Sequence, residues 1–161
     1  MNLKDYIDNI PNFPKEGILF RDIQPILENQ NLFTGCISEL GGLVKYNVPT
    51  YWVGIESRGF IFASAMAQKF GGGFKMIRKK GKLPNSNLVS IEYDLEYGTD
   101  IIEMKSGSGD VVIVDDVYAT GGTMNAAEEL CKSAGYNVID KICLIDIGIV
   151  KEHNVKCLIN Y

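Results

Sequence analysis

Two apolar spacings alternate along this chain. In LKDYIDNI (3–10), Leu3, Tyr6, Ile7 and Ile10 fall on one helical face, which predicts a first helix. NIPNFPKEG (9–17) breaks it, because a proline disfavours helix in the residue before it. Residues 30–46 return to helical spacing and stop at Asn47-Val48-Pro49. YWVGIE (51–56) is short and mostly apolar, as a buried strand is, and FIFASAMAQKF (60–70) is apolar nearly all round, as a buried helix is. GGGFKMIR (71–78) turns into a second strand. LVSIEYDLEYGTDIIEMK (88–105) is rich in β-branched and aromatic residues around Gly98, which predicts a β-hairpin or long β-arm. VVIVDD (111–116) is another buried strand, 122–134 an Ala-rich helix, 137–146 a strand and 155–160 a last short strand.

Strands that alternate with helices predict an α/β fold with a mostly parallel central sheet and helices on both faces. Ligand sites in such sheets lie beyond the carboxyl ends of the strands. Three strand ends carry unusual chemistry: Glu56-Ser57-Arg58, Arg78-Lys79-Lys80 and Asp115-Asp116. All three should open onto one crevice.

Composition narrows the classes of function. The length of 161 residues predicts one domain, and 46% hydrophobic content supports a sizeable core. A net charge of −4 argues against a general binder of nucleic acid or anionic membrane, although RKKGK (78–82) is a local basic patch. There is no apolar stretch long enough to span a bilayer, and MNLKDYIDNI does not read as a secretory leader. Cys36, Cys131, Cys143 and Cys157 show no CxxC spacing, and His153 is the only histidine. These features predict reduced thiols in a cytoplasmic protein and no protein-built metal site.

The segment VYATGGT (117–123) leads from a strand into a helix. Unpaired N–H groups at that junction, together with the helix dipole, favour an anion, and glycines let it approach the backbone. Thr120 and Thr123 add hydroxyl donors. The spacing fits neither the nucleotide-triphosphate loop GxxxxGK[ST] nor the dinucleotide GxGxxG. Asp115 and Asp116 require a different partner, since carboxylates accept hydrogen bonds from hydroxyls and help hold Mg²⁺ through its water. A 5-phosphorylated ribose satisfies both halves of the segment.

VVIVDDVYATGGTMNAA (111–127) resembles the phosphoribosyl pyrophosphate motif of the type I phosphoribosyltransferases. FPKEGILFRDIQPIL (13–27), GIESRGFIFASAMA (54–67), IRKKGKLP (77–84) and LEYGTDIIEM (95–104) are, in the same order, similar to the adenine phosphoribosyltransferase family. The resemblance covers nearly the whole chain. The chain departs from it in being somewhat short, in a trimmed stretch before the first central strand, and in Tyr118, where the family more often has an aliphatic residue.

The resemblance implies the type I phosphoribosyltransferase fold in one domain, 1–161. Within it, 1–30 includes the base-binding hood segment and 79–105 the flexible loop and β-arm. It also implies the roles. Asp115 and Asp116 meet the ribose hydroxyls, and Ala119, Thr120, Gly121, Gly122 and Thr123 bind the 5-phosphate. Glu56, Ser57, Arg58, Arg78 and Lys82 serve the pyrophosphate, with a non-proline cis peptide near Glu56-Ser57. Phe20 stacks on adenine, Val117 covers its other face, and main-chain groups of Leu19 and Arg21 read its edge. Glu96, with Lys82 and Arg58, carries the catalysis, as an acid–base group at the purine. Mg²⁺ is the cofactor, held mainly by substrate and water. Adenine, phosphoribosyl pyrophosphate, AMP and pyrophosphate are the partners of a cytoplasmic homodimer. Two alternatives stay open: a sibling enzyme for a 6-oxopurine such as xanthine, and a non-catalytic regulator that kept the phosphoribosyl site. A regulator usually carries an output domain, for which 161 residues leave no room.

Overall fold

Val53, Ile55, Val111 and Ile113 alternate with Trp52, Gly54, Val112 and Val114 along two neighbouring strands, and that alternation decides which helix each sheet face receives. The computed structural model describes residues 2–45, 47–84, 86–95 and 97–161. The chain divides into two compact units, 1–39 and 40–161.

The first unit opens with a single 3-10 turn, Leu3–Tyr6, followed by strand β1 (Asp8–Pro11) and strand β2 (Leu19–Asp22). The helix expected over 3–10 is therefore corrected: only its first turn is helical, and residues 8–11 pair antiparallel with 19–22, Ile10 opposite Phe20. Pro11 and Pro14 leave the segment without the amide donors a longer helix needs. The connecting loop is fixed by Asn12, whose side-chain oxygen accepts from the Gly17 N–H at 2.9 Å. Phe13 meets Phe20 edge-on, ring centroids 5.1 Å apart. Helix α1 (Gln24–Leu27) and helix α2 (Gln30–Gly42) follow, the latter running across the boundary between the units. Helix α2 ends four residues earlier than its spacing predicted, at two glycines.

The second unit contains strand β3 (Tyr51–Ile55), helix α3 (Gly59–Phe70), strand β4 (Gly73–Lys79), strand β5 (Leu88–Asp94) and strand β6 (Thr99–Lys105). Strand β7 (Gly109–Tyr118), helix α4 (Gly122–Ser133), strand β8 (Tyr136–Asp146) and strand β9 (Lys156–Asn160) complete it. The seven strands lie in the order β5-β6-β4-β3-β7-β8-β9. Strands β4, β3, β7, β8 and β9 are mutually parallel, and the β5–β6 hairpin adds antiparallel strands at one edge.

One face carries Val53, Ile55, Val111 and Ile113 into a core with Met124, Ala127, Leu130 and Cys131 of α4. Burying such side chains contributes about 1.5–3 kcal/mol each. The opposite face receives α3 at close range: a β-carbon on Gly54 would lie 2.9 Å from the Gly59 carbonyl, and one on Gly59 would lie 2.7 Å from the Val114 carbonyl. Two glycines thus let α3 start directly beside the ends of β3 and β7. Cys36, Cys131 and Cys143 are buried and Cys157 is half-buried, all as free thiols. Burial, with Glu39 adding to it, pushes the Cys36 thiol up to about 12. No helix among the described residues is long and apolar enough to cross a membrane.

Candidate active site

The parallel strands β3, β4 and β7 all finish on the same edge of the sheet, so the residues after Ile55, Ile77 and Val114 converge there. They line a cavity of about 330 Å³, which includes Glu56, Ser57, Arg58, Lys79, Asp115, Asp116, Val117 and Thr123. A smaller cavity of about 80 Å³, lined by the loop Ala119–Thr123, shares Asp115, Val117 and Thr123 with it. The crevice expected from the three strand ends is present. The Glu56–Ser57 peptide is cis, as the resemblance implied.

Glu56 is the hub of the basic segment. Its Oε1 accepts from Lys82 Nζ at 2.7 Å and from Arg78 Nη2 at 3.3 Å, and its Oε2 accepts from the Lys79 N–H at 2.7 Å. Burial raises the carboxyl's pKa, but the bonds from Lys82, the Lys79 amide and Arg78 outweigh it and bring the value down to about 2. Arg78 and Lys82 therefore share one counter-ion, Glu56, which itself lines the crevice.

Asp115 and Asp116 differ in partner although they are adjacent. Asp115 Oδ1 accepts from the Asp116 N–H at 2.9 Å. Burial, and then the charge of Asp116, push the Asp115 carboxyl well above the usual carboxylate range. Asp116 is buried and sits 2.8 Å from Arg58 Nε through Oδ2. Both aspartates line the crevice, and carboxylates accept hydrogen bonds from sugar hydroxyls and from metal-bound water.

After Asp116, β7 runs to Tyr118, and the loop 119–121 turns into α4 through Gly121 at φ 88°. No side chain caps the helix there. The first-turn N–H groups of α4 thus have no side-chain partner from the cap position and face the smaller cavity.

Some lining residues had been given no role. Asp100 and Ile102 of β6 and Tyr93 of β5 face the crevice. Asp100 holds Lys79 Nζ at 3.0 Å, and that hydrogen bond, with the charge behind it, raises the lysine's pKa. Buried Glu103 accepts from the Gly81 N–H at 3.1 Å and from Ser90 Oγ at 3.1 Å, so it ties the basic loop to the hairpin. The period-two spacing of Asp100 and Ile102 was the available signal.

Leu19, Phe20 and Arg21 lie on β2 in the first unit, with Phe20 and Arg21 half-buried and Leu19 exposed. Arg21 donates to the Asn9 side chain across the β1–β2 pair. Val117 lines the crevice of the second unit. Glu96 lies outside the described residues. No cluster of three or more potential metal-ligating acids, cysteines or histidines occurs among the described residues.

The Phosphoribosyl transferase domain matches residues 23–160, a span that includes the acidic pair and the glycine turn. An adenine phosphoribosyltransferase from Hydrogenovibrio crunogenus is 50% identical over 147 residues, covering 90% of this chain and 85% of that protein. The crystal structure of the adenine phosphoribosyltransferase from Thermoanaerobacter pseudethanolicus superposes with a TM-score of 0.91 at 37% identity, covering 99% of this chain and 98% of the other. The Saccharomyces cerevisiae enzyme, crystallised with an imino-altritol bisphosphate and adenine, gives 0.86 at 36% identity, over 97% of this chain and 94% of the other. The chain belongs to the phosphoribosyl transferase domain family, among the adenine phosphoribosyltransferases.

Proposed function

We propose that the chain transfers the 5-phosphoribosyl group from phosphoribosyl pyrophosphate to adenine, giving AMP and pyrophosphate, as a purine-salvage enzyme. One observation carries the reading: Glu56-Ser57-Arg58 and Asp115-Asp116 line a single cavity that adjoins the loop 119–123. A phosphate fits the loop's N–H groups, and vicinal hydroxyls fit the two acids.

In the reaction, the bond from ribose C1′ to the pyrophosphate oxygen breaks, the bond to adenine N9 forms, and the N9 proton leaves. Positive charge develops on the ribose and negative charge on the leaving pyrophosphate. Positioning and electrostatics therefore supply most of the rate. Asp115 and Asp116 orient the sugar hydroxyls. Ala119, Thr120, Gly121, Gly122 and Thr123 hold the 5-phosphate. Ser57 and Arg58 take the pyrophosphate. Arg78 and Lys82, which share Glu56 as counter-ion, meet the leaving group's charge. Glu96 shares a proton at adenine N7, which favours the tautomer that reacts at N9. Leu19, Phe20 and Arg21 recognise the base. Main-chain acceptors suit a 6-amino group, and a 6-oxopurine would leave one unpaired at a cost of ~1–3 kcal/mol.

Asp115 and Asp116, side by side in the crevice, suit Mg²⁺ that keeps its water and takes most ligands from the substrate. Bound there, Mg²⁺ would neutralise pyrophosphate charge. We further propose a cytoplasmic homodimer, as the resemblance implies.

The test is turnover with phosphoribosyl pyrophosphate and Mg²⁺ across adenine, hypoxanthine, guanine and xanthine, reading nucleotide and released pyrophosphate. AMP as the dominant product is expected. Preference for a 6-oxopurine would move the chain to the sibling specificity, and no turnover with any base would leave a binding role.

A further inference from the structure

The loop 119–123 has a second side, and no motif announces what supports it. Tyr118, the last residue of β7, is 4% exposed and lines the loop's own cavity. A β-carbon built on Gly121 would lie 2.6 Å from the Tyr118 hydroxyl and 3.2 Å from its Cζ. The phenol end therefore rests against the Gly121 backbone, at the residue whose left-handed φ creates the turn.

The ring is itself held from behind. His153 stacks on it, ring centroids 4.3 Å apart and planes tilted by 43°. The Val155 N–H donates to His153 Nδ1 at 3.3 Å, which leaves Nε2 to carry the ring proton and donate to Asp146 Oδ2 at 3.0 Å. Asp146 lies directly opposite Tyr118 in the β7–β8 register, and its Oδ1 accepts from the Gly148 N–H at 2.8 Å. The Tyr118 carbonyl accepts from the Ile147 N–H at 3.1 Å. The only histidine of the chain is thus fixed on both nitrogens and placed behind Tyr118.

Ala119, Thr120, Gly121 and Gly122 have little side chain with which to order themselves. A loop ordered only on binding gives up affinity, and one held in advance does not. We propose that Tyr118 is a positioning residue for the phosphate loop, held by His153 on Asp146, and that this buttress sets affinity for the sugar phosphate independently of the base. The proposal rests on the reading of 119–123 as the 5-phosphate site. Burial, then the Asp146 charge, raise the Tyr118 pKa, so the phenol against Gly121 is neutral.

The test is steady-state kinetics with each substrate varied in turn. Tyr118→Leu is expected to raise KM for phosphoribosyl pyrophosphate about tenfold, with KM for adenine held within about twofold. Tyr118→Phe, which keeps the ring on His153, should recover most of that loss. His153→Ala should act in the same direction, and the double variant Tyr118→Leu/His153→Ala should be no worse than Tyr118→Leu alone, since His153 acts only through Tyr118. A purely structural role would lower the thermal midpoint and leave both KM values unchanged, and that result overturns the proposal, as do fully additive losses. If Tyr118→Leu does not fold, the decision passes to His153→Ala, where an unchanged KM for phosphoribosyl pyrophosphate overturns it. Wild-type protein that makes no AMP removes the functional reading and this proposal together; wild-type turnover with unmoved variants removes the proposal alone.

Discussion

Glu56 pairs with two cations and a backbone amide at once, and its depressed pKa makes that pairing measurable. A carboxyl whose folded value lies below its unfolded one contributes stability that is complete above the unfolded value, near 4.5, and is lost as pH falls towards about 2. Glu56→Gln removes this contribution and leaves Arg78 and Lys82 without their shared counter-ion. The stability gap between wild type and variant, read from urea unfolding midpoints, should be widest at neutral pH and close progressively below pH 4.5. A gap that stays constant across that range would mean that Glu56 is not the group that pairs them. The two aspartates call for a different measurement. Asp115→Asn with Asp116→Asn removes both carboxyl groups from the sugar, and one hydrogen bond to a charged group is by itself worth ~1.5–3 kcal/mol. The expected loss in kcat/KM for phosphoribosyl pyrophosphate is ~10²-fold or more, with the thermal midpoint retained. Near-normal turnover would assign the hydroxyls to other partners.

Among the elements, the segment from Lys79 to Glu92 is the one whose contacts should change with ligand. Lys82 reaches Glu56, the Gly81 N–H reaches Glu103, and the Lys80 N–H donates to the Ile101 carbonyl at 3.0 Å. Pyrophosphate offers Lys82 a stronger partner, and the loop should tighten around it. Amide exchange across 79–92 should therefore slow when both substrates or the product are bound. Equal exchange in the free and bound protein would exclude closure of this loop. What the sequence made legible follows the same elements. The β5–β6 hairpin about Gly98, the β7 strand with its acids and the α4 start were readable because β-branched runs, strand-end charges and a glycine turn are local signals. The helix over 3–10 was misread because a strand pairing with 19–22 is a non-local partner that helical spacing cannot report. Glu103 and Asp100 were missed for a related reason: each is one acid in an ordinary alternating strand, and only the sheet order brings it to the basic loop. Tyr118 was visible as a departure, but its neighbour His153 lies 35 positions further along the chain, and no spacing rule joins them.

At the scale of the molecule, the division into 1–39 and 40–161 bears on how such a chain can diversify. The domain shared across phosphoribosyl transferases begins at residue 23, whereas the strand proposed to read the base, Leu19–Asp22, ends at residue 22. The apparatus proposed for sugar and phosphate is drawn from the second unit alone. A leading segment of some twenty residues then carries part of the acceptor preference, while Val117 and Glu96, which the resemblance also sets at the base, stay under the constraint of the transfer chemistry.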